Sequence, residues 1–186
     1  MKVFGIIGSC EAKASVVVDV VEDLVRRGHT VSTVKRVRDD VDLDQRGKDT
    51  YRQRQAGARE IIIASSFRWA LLHERTDGFH EPEIAPLIAR LDPVDFVIAE
   101  GFRTAPIPKL EIVRIDATRR PQYLDDPSVI ALASDGPSPS PLTTFPVSDI
   151  RAIAACVVRY AMPVGAVPRV FELEYPAMPF AGAGLN

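Results

Sequence analysis

The stretch Val3-Phe4-Gly5-Ile6-Ile7-Gly8-Ser9-Cys10-Glu11-Ala12-Lys13-Ala14-Ser15 decides the fold class. It opens as a short apolar run, rich in β-branched side chains, that stops at Gly8. A run without polar alternation suits a central parallel strand buried on both faces. From about Ala14 to Arg27 the period changes. Val17, Val20 and Leu24 recur at three- and four-residue spacing, while Asp19, Glu22, Asp23, Arg26 and Arg27 face water, which predicts an amphipathic helix. Arg26 and Arg27 suit the negative end of its dipole, and Gly28 follows as a C-cap. From His29 to Val37, Val31, Thr33 or Val34, and Val37 alternate as in a second strand. The chain therefore begins strand–turn–helix–strand, a βαβ unit whose crossover is right-handed in nearly all proteins.

Working outward, residues 38–48 form an acid-rich polar loop with Asp39, Asp40, Asp42 and Asp44. A short helix is expected over Thr50–Ala58 and a strand over Glu60–Ala64. Phe67–His73 fits a strand or, through Trp69-Ala70-Leu71-Leu72, a helix. A helix over Glu83–Leu91, strands over Val94–Ala99, Leu110–Ile115 and Val129–Ala133, and a helix over Ser148–Tyr160 complete the pattern. The stretch 136–146 carries Pro137, Pro139, Pro141 and Pro146 and reads as a loop. Residues 1–160 are expected to make one α/β domain, with a mainly parallel, doubly wound sheet and helices on both faces. Residues 161–186, with Pro163, Pro168, Pro176 and Pro179, are expected to be an extended arm.

The 186 residues suit one domain with a sizeable core, and 46% apolar with 26% charged residues fits a globular chain. A formal net charge of −2 argues against a broad basic face for nucleic acid. No apolar run approaches the ~20 residues that span a bilayer. The apolar N-terminus meets Glu11 and Lys13 too soon for a signal peptide, and Cys10 and Cys156 stand far apart, which points to free thiols and a cytoplasmic setting.

The turn between the first strand and helix is where a phosphate-binding loop belongs. The working pattern, G-x-x-x-x-G-K-[ST], uses backbone N–H groups around the phosphates, a lysine on the β- and γ-phosphates and a hydroxyl on Mg²⁺. Here four residues separate Gly8 from Lys13, one fewer than the pattern needs. Ala12 replaces the second glycine, Ala14 replaces the hydroxyl residue with Ser15 one step on, and Glu11 brings a carboxylate into the cradle. Alone, this segment reads as an ordinary strand-to-helix turn sooner than as a nucleotide site.

The stretch from Val34 to Ala58 carries more. It contains Lys35, then Asp42-Leu43-Asp44-Gln45-Arg46-Gly47-Lys48-Asp49-Thr50, then Arg52 and Arg54 ahead of Ala56-Gly57-Ala58. Glu100-Gly101-Phe102-Arg103, Pro108-Lys109-Leu110-Glu111 and Ala131-Leu132-Ala133-Ser134-Asp135 follow in order. Together these segments resemble the MobB family of molybdopterin-guanine dinucleotide biosynthesis accessory proteins over about residues 1 to 160. The departures are the short loop at Gly8 and a turn, Arg36-Val37-Arg38-Asp39-Asp40, that lacks the family's histidines.

The resemblance implies a P-loop NTPase-like fold and a dimeric protein that binds GTP and Mg²⁺ and hydrolyses GTP weakly. It also implies a molybdopterin nucleotidyltransferase or a molybdoenzyme as partner, with molybdopterin as a further ligand. By position, Gly8, Lys13 and Ser15 would hold phosphate, and Lys35 would end the second strand beside them. Glu100 would be the Walker B-like acid and Gly101 would allow close approach. Asp44, Gly47, Lys48, Asp49, Thr50 and Arg52 would form the motif loop, and Asp135 would lie near the base or a partner surface. Since the departures all fall at the nucleotide end, an adapter with weak or absent GTP binding and no catalytic residue is the expected role. A slow working GTPase and a pseudo-NTPase regulator docking through the arm are the alternatives.

Plainer readings stand beside these. The acidic loop suits solvent better than a cation, because its spacing fits no EF-hand. Glu100 reads equally as a structural turn residue, and Arg52 and Arg54 equally as solvated helix charges. Cys10 reads as inert, and His29, His73 and His80 form no metal-spaced set.

Overall fold

The computed structural model describes residues 1–8, 10–37, 42–75, 81–114, 120–138 and 140–168, and for 10–12 the backbone alone. Strands β1 (Lys2–Gly8), β2 (Val31–Lys35), β5 (Phe96–Glu100), β6 (Lys109–Val113), β7 (Val129–Ser134) and β8 (Thr143–Pro146) run parallel in the order β2-β5-β1-β6-β7-β8. Between β2 and β5 lie α2 (Asp49–Gln55), β3 (Glu60–Ala64), β4 (Trp69–His73) and α3 (Ile84–Ile88). The expected doubly wound parallel sheet is the one observed.

The two-residue period of the strands divides the core between the faces. Phe4 and Ile6 of β1 and Phe96 and Ile98 of β5 pack with Val16, Val17, Val20 and Leu24 of α1 (Cys10–Arg26) and with Ile153, Ala154 and Val157 of α4 (Ile150–Tyr160). Val3, Val97 and Ala99 point the other way, onto Ile84 and Ile88 of α3. Each fully buried Ile, Leu or Phe contributes about 1.5–3 kcal/mol. Asp149 caps α4 by accepting the Ala152 N–H at 3.0 Å, worth about 1 kcal/mol. Burial in this core pushes the Cys156 thiol up to about 11, against a smaller opposing effect of Arg159, so it stays protonated at neutral pH.

Two expectations are corrected, and one that was open is settled. Helix α1 begins at Cys10, earlier than the apolar spacing placed it. Part of the proline-rich stretch is a strand: Thr143–Pro146 lies on the outer side of β7, where the sheet ends and Pro146 leaves no ladder bond unmade. Phe67–His73 resolves as the strand β4, paired antiparallel with β3 in a separate two-stranded sheet. The expected strand at Leu110–Ile115 is seen as Lys109–Val113, and Ile115 lies outside the described residues, as do Ser9, Asp39, Asp40 and His80. Of the expected arm, β9 (Met162–Pro163) pairs antiparallel with the start of β1, a short 3-10 turn follows over Val164–Ala166, and Val167 is buried against α3's cluster. Residues 169–186 lie outside the described residues. No helix among the described residues is long and apolar enough to cross a membrane.

Candidate functional site

The chain moves from β1 to one side of the sheet for β2 and β5 and returns to the other side for β6, so β1 marks a switch of direction. In parallel sheets the crevice outside the strand ends at such a switch is the usual ligand position. Glu100, last in β5, lies between Ile6 of β1 and Lys35 of β2 in register. Lys13 extends the buried stripe of α1, one turn ahead of Val16 and Val17, so the helix that packs the core also carries the lysine to the strand ends. Lys13 Nζ lies 3.5 Å and Lys35 Nζ 3.3 Å from the same Glu100 Oε1. Glu100 and Lys13 are buried at 5% and 8%, whereas the Lys35 side chain is 53% exposed. The trio carries one positive charge in excess and opens to solvent on the Lys35 side.

Two glycines shape this corner. Gly8 has φ +136°, and a Cβ there would come within 2.5 Å of the Ile112 carbonyl oxygen. Gly101 has φ +83°, and a Cβ would meet the Arg36 carbonyl oxygen at 3.2 Å and Lys13 Nζ at 3.3 Å. The backbone is pinned here by Gly101 N–H donating to the Ile6 carbonyl at 3.0 Å and Arg36 N–H to the Glu100 carbonyl at 2.9 Å.

Gly8, Lys13, Lys35, Glu100 and Gly101 thus meet at one corner. Ser15, two residues beyond Lys13 on α1, is exposed. The motif loop serves a different purpose. Asp44 Oδ1 accepts the Thr50 hydroxyl at 2.9 Å, and Arg54 reaches both Asp42 oxygens at 3.1 Å. Arg54 also lies 3.7 Å from Asp44 and 3.5 Å from Glu74, just past β4, and stacks 5.0 Å from the Tyr51 ring centroid. The Asp44 N–H, with Arg54 adding to it against a smaller effect of burial, holds the Asp42 carboxyl below its ordinary value. These residues fasten α2 to the base of the β3–β4 hairpin. Gly47, Lys48, Asp49 and Arg52 are exposed. Among the described residues, no ion pair or hydrogen bond joins the motif loop to Glu100. Asp135 follows β7 on the same edge of the sheet, 3.9 Å from Arg114, beside a cleft of about 310 Å³ lined by Ser134, Gly136, Thr144 and Phe145.

Two residues were given no role by the sequence reading. Lys109, only 1% exposed, donates to the Ala105 carbonyl at 2.6 Å and the Arg103 carbonyl at 3.2 Å and pairs with Asp126 at 3.0 Å. Its stem lies over Gly5, where a Cβ would stand 2.5 Å from Lys109 Cγ. A lysine inside an apolar strand, with a glycine in the neighbouring strand, was the available signal. Glu81 accepts the Arg103 and Thr104 N–H groups at 3.1 and 2.9 Å and the Thr104 hydroxyl at 2.6 Å, which holds the loop after Gly101. No local pattern marks it.

A parallel sheet wound on both faces, with a glycine turn and a helix-borne lysine against a strand-end carboxylate, defines a P-loop-type α/β protein. The model of the family described as "Molybdopterin guanine dinucleotide synthesis protein B", MobB, matches residues 3–135, and the chain belongs to that family. A molybdopterin-guanine dinucleotide biosynthesis adapter protein of Escherichia coli K12 is 34% identical over 151 residues, covering 80% of this chain and 86% of the relative. One from Haemophilus influenzae is 30% identical over 151 residues, covering 81% and 84%. Among solved structures, Bacillus subtilis MobB superposes with a TM-score of 0.65 at 19% identity, covering 87% of this chain and 98% of the other. A second, a molybdopterin-guanine biosynthesis protein B, gives 0.64 at 20% identity, covering 84% and 98%. At these identities the two structures speak for the fold.

Proposed function

We propose that this protein is an adapter in the formation of molybdopterin guanine dinucleotide, working through a molybdopterin nucleotidyltransferase or a molybdoenzyme, with weak or no turnover of GTP. The observation that carries it is the family match over residues 3–135, joined by relatives that are themselves named adapter proteins. The chemistry of the corner supports the non-catalytic part. GTP with Mg²⁺ fits it poorly: α1 starts at Cys10, two residues after β1 ends at Gly8, a shorter span than the working phosphate loop uses. Ala14 offers no hydroxyl for a cation, and the Glu100 carboxylate already faces two ammonium groups.

The reading is tested by pull-down of the purified full chain with its nucleotidyltransferase and by direct titration with molybdopterin. Capture of the enzyme or saturable molybdopterin binding supports it, and failure of both sinks it. The proximity of Lys13 to Glu100 favours one second reading, a slow GTPase. A GTPase rate unchanged in Lys13→Ala rules that out.

A homodimer belongs to the same proposal. The β3–β4 ribbon stands outside the main sheet and exposes Ile62 (66%), Ile63 (45%), Phe67 (95%) and Trp69 (66%). A two-stranded ribbon that is apolar on both faces is marginal in water and gains by meeting a second copy. Sedimentation of the wild type against Trp69→Glu checks this, with the variant expected to shift to monomer. A cytoplasmic setting fits the free Cys156 thiol and such a partner.

A further inference from the structure

We propose that the cleft between the end of α1 and the start of α4 is a docking site for an acidic segment of the partner enzyme. The proposal rests on the adapter reading for the existence of that enzyme; the surface itself rests on the geometry. The cleft has a volume of about 430 Å³ and is lined by Asp23, Arg26, Arg27 and Arg151. Asp19 and Glu22, exposed on the same helix, do not line it. The three guanidinium groups outweigh the one carboxylate, so the cleft is cationic in a chain whose formal net charge is −2. At the helical rise, Arg26 lies about 20 Å along α1 from Lys13, so this surface is separate from the strand-end corner.

The three arginines are held in unequal ways. Arg27 pairs with the buried Asp23 and donates to the Arg151 carbonyl at 3.1 Å. That bridge ties the first turn of α4 to the end of α1 and fixes the walls of the cleft. Arg26 reaches Asp23 at 3.4 Å, with its side chain largely in solvent. The Arg151 side chain is exposed and, among the described residues, makes no hydrogen bond or ion pair. It also stands in the first turn of α4, where the helix dipole favours an acid over a cation. A residue that opposes its own helix without a compensating contact breaks local consistency in the way that functional positions do.

Arg26 and Arg151, one on each helix, offer planar forks that fit carboxylates through two parallel bonds. Val18 and Val25, exposed and two turns apart on α1, add apolar area at the rim. Arginine beside exposed apolar side chains is the composition of a protein interface. The lining residues include no apolar wall of the kind that buries a small molecule, which favours a partner protein over a free anion. None of these residues belongs to the β3–β4 ribbon, so the surface is distinct from the one assigned to a second copy.

The experiment is capture of the purified nucleotidyltransferase and of the purified molybdoenzyme by the full chain, then calorimetric titration of the captured enzyme at low and at high salt. Inorganic phosphate is titrated beside it, and sedimentation follows self-association. All are repeated in Arg151→Glu, in Arg151→Lys and in Arg59→Glu, an exposed charge reversal outside the cleft, with circular dichroism confirming each fold. A glutamate in the first turn of α4 suits the dipole, so Arg151→Glu is expected to fold as the wild type does. Expected are a loss of roughly tenfold or more in Arg151→Glu and roughly threefold in Arg151→Lys, which keeps the charge without the fork. Arg59→Glu is expected to change affinity by less than about twofold, and salt is expected to weaken the wild type more than Arg151→Glu. Equal affinity of wild type and Arg151→Glu, or an equal loss in Arg59→Glu, overturns the docking site and leaves the adapter reading standing. Capture of neither enzyme overturns both. Phosphate binding that Arg151→Glu abolishes would make the cleft a small-anion site, and self-association lost in Arg151→Glu would give it to a second copy; either overturns the assignment.

Discussion

Lys13 and Lys109 are both buried, yet their surroundings are opposite. Lys109 spends its three donors on two carbonyls and the Asp126 carboxylate at 2.6–3.2 Å. Lys13 has, among the described residues, one long contact to a carboxylate that it shares with Lys35. The carboxylates differ likewise. Asp126 accepts from Ser128, Gln122 and Lys109, whereas the Glu100 carboxylate, among the described residues, meets two ammonium groups at 3.3 and 3.5 Å. A saturated buried cation is part of the scaffold, and an unsaturated one at a strand end is available to a ligand. This chain holds both.

The comparison is broken most forcefully at the saturated lysine. Lys109→Met leaves two buried carbonyls unpaired and Asp126 without its cation, and is expected to cost about 3–5 kcal/mol in urea unfolding. Gly8→Ala comes next. Its positive φ and the 2.5 Å approach to the Ile112 carbonyl combine strain with overpacking, and about 3 kcal/mol of stability is expected to be lost in the same assay.

Acid is the third route. Burial pushes the Asp126 carboxyl up, but hydrogen bonds from Ser128 and Gln122, with Lys109, outweigh it and hold the group down at about 2, from 3.8. A depressed pKa means the stabilisation is complete above the unfolded value and is lost as pH falls from about 4 towards about 2. The loss is about 2 kcal/mol, and Asp126→Asn should flatten that part of the stability–pH curve. Smallest is Lys35→Ala. Its side chain is half exposed, so stability should change by less than about 1 kcal/mol while anion affinity falls. A large stability loss there would erase the distinction between the two lysines.

Much of this was legible in the sequence because it is local. The apolar run ending at Gly8, the three- and four-residue spacing of Val17, Val20 and Leu24, and the buried run ending at Glu100 give the strands, the helix and the edge where they meet. Lys13, Lys35 and Glu100 were named through the resemblance to the MobB family, whose motifs fall at the ends of those elements. What stayed hidden depends on contacts between distant segments. Arg54 reads as a solvated helix charge until Asp42, Asp44 and Glu74 are brought around it. Glu81 gains its purpose only where the chain passes beneath Arg103 and Thr104. The strand Thr143–Pro146 was masked by its prolines, which a sheet's outermost strand tolerates and an inner one does not.

The most direct test of the account is calorimetric titration of the wild-type protein with GTP, with and without Mg²⁺, beside inorganic phosphate. The expected result is GTP binding no tighter than millimolar and unaffected by Mg²⁺, because Glu100 is engaged by two ammonium groups and Ala14 offers a cation no hydroxyl. Micromolar GTP binding that requires Mg²⁺ and disappears in Lys13→Ala would contradict it and restore a working nucleotide cradle.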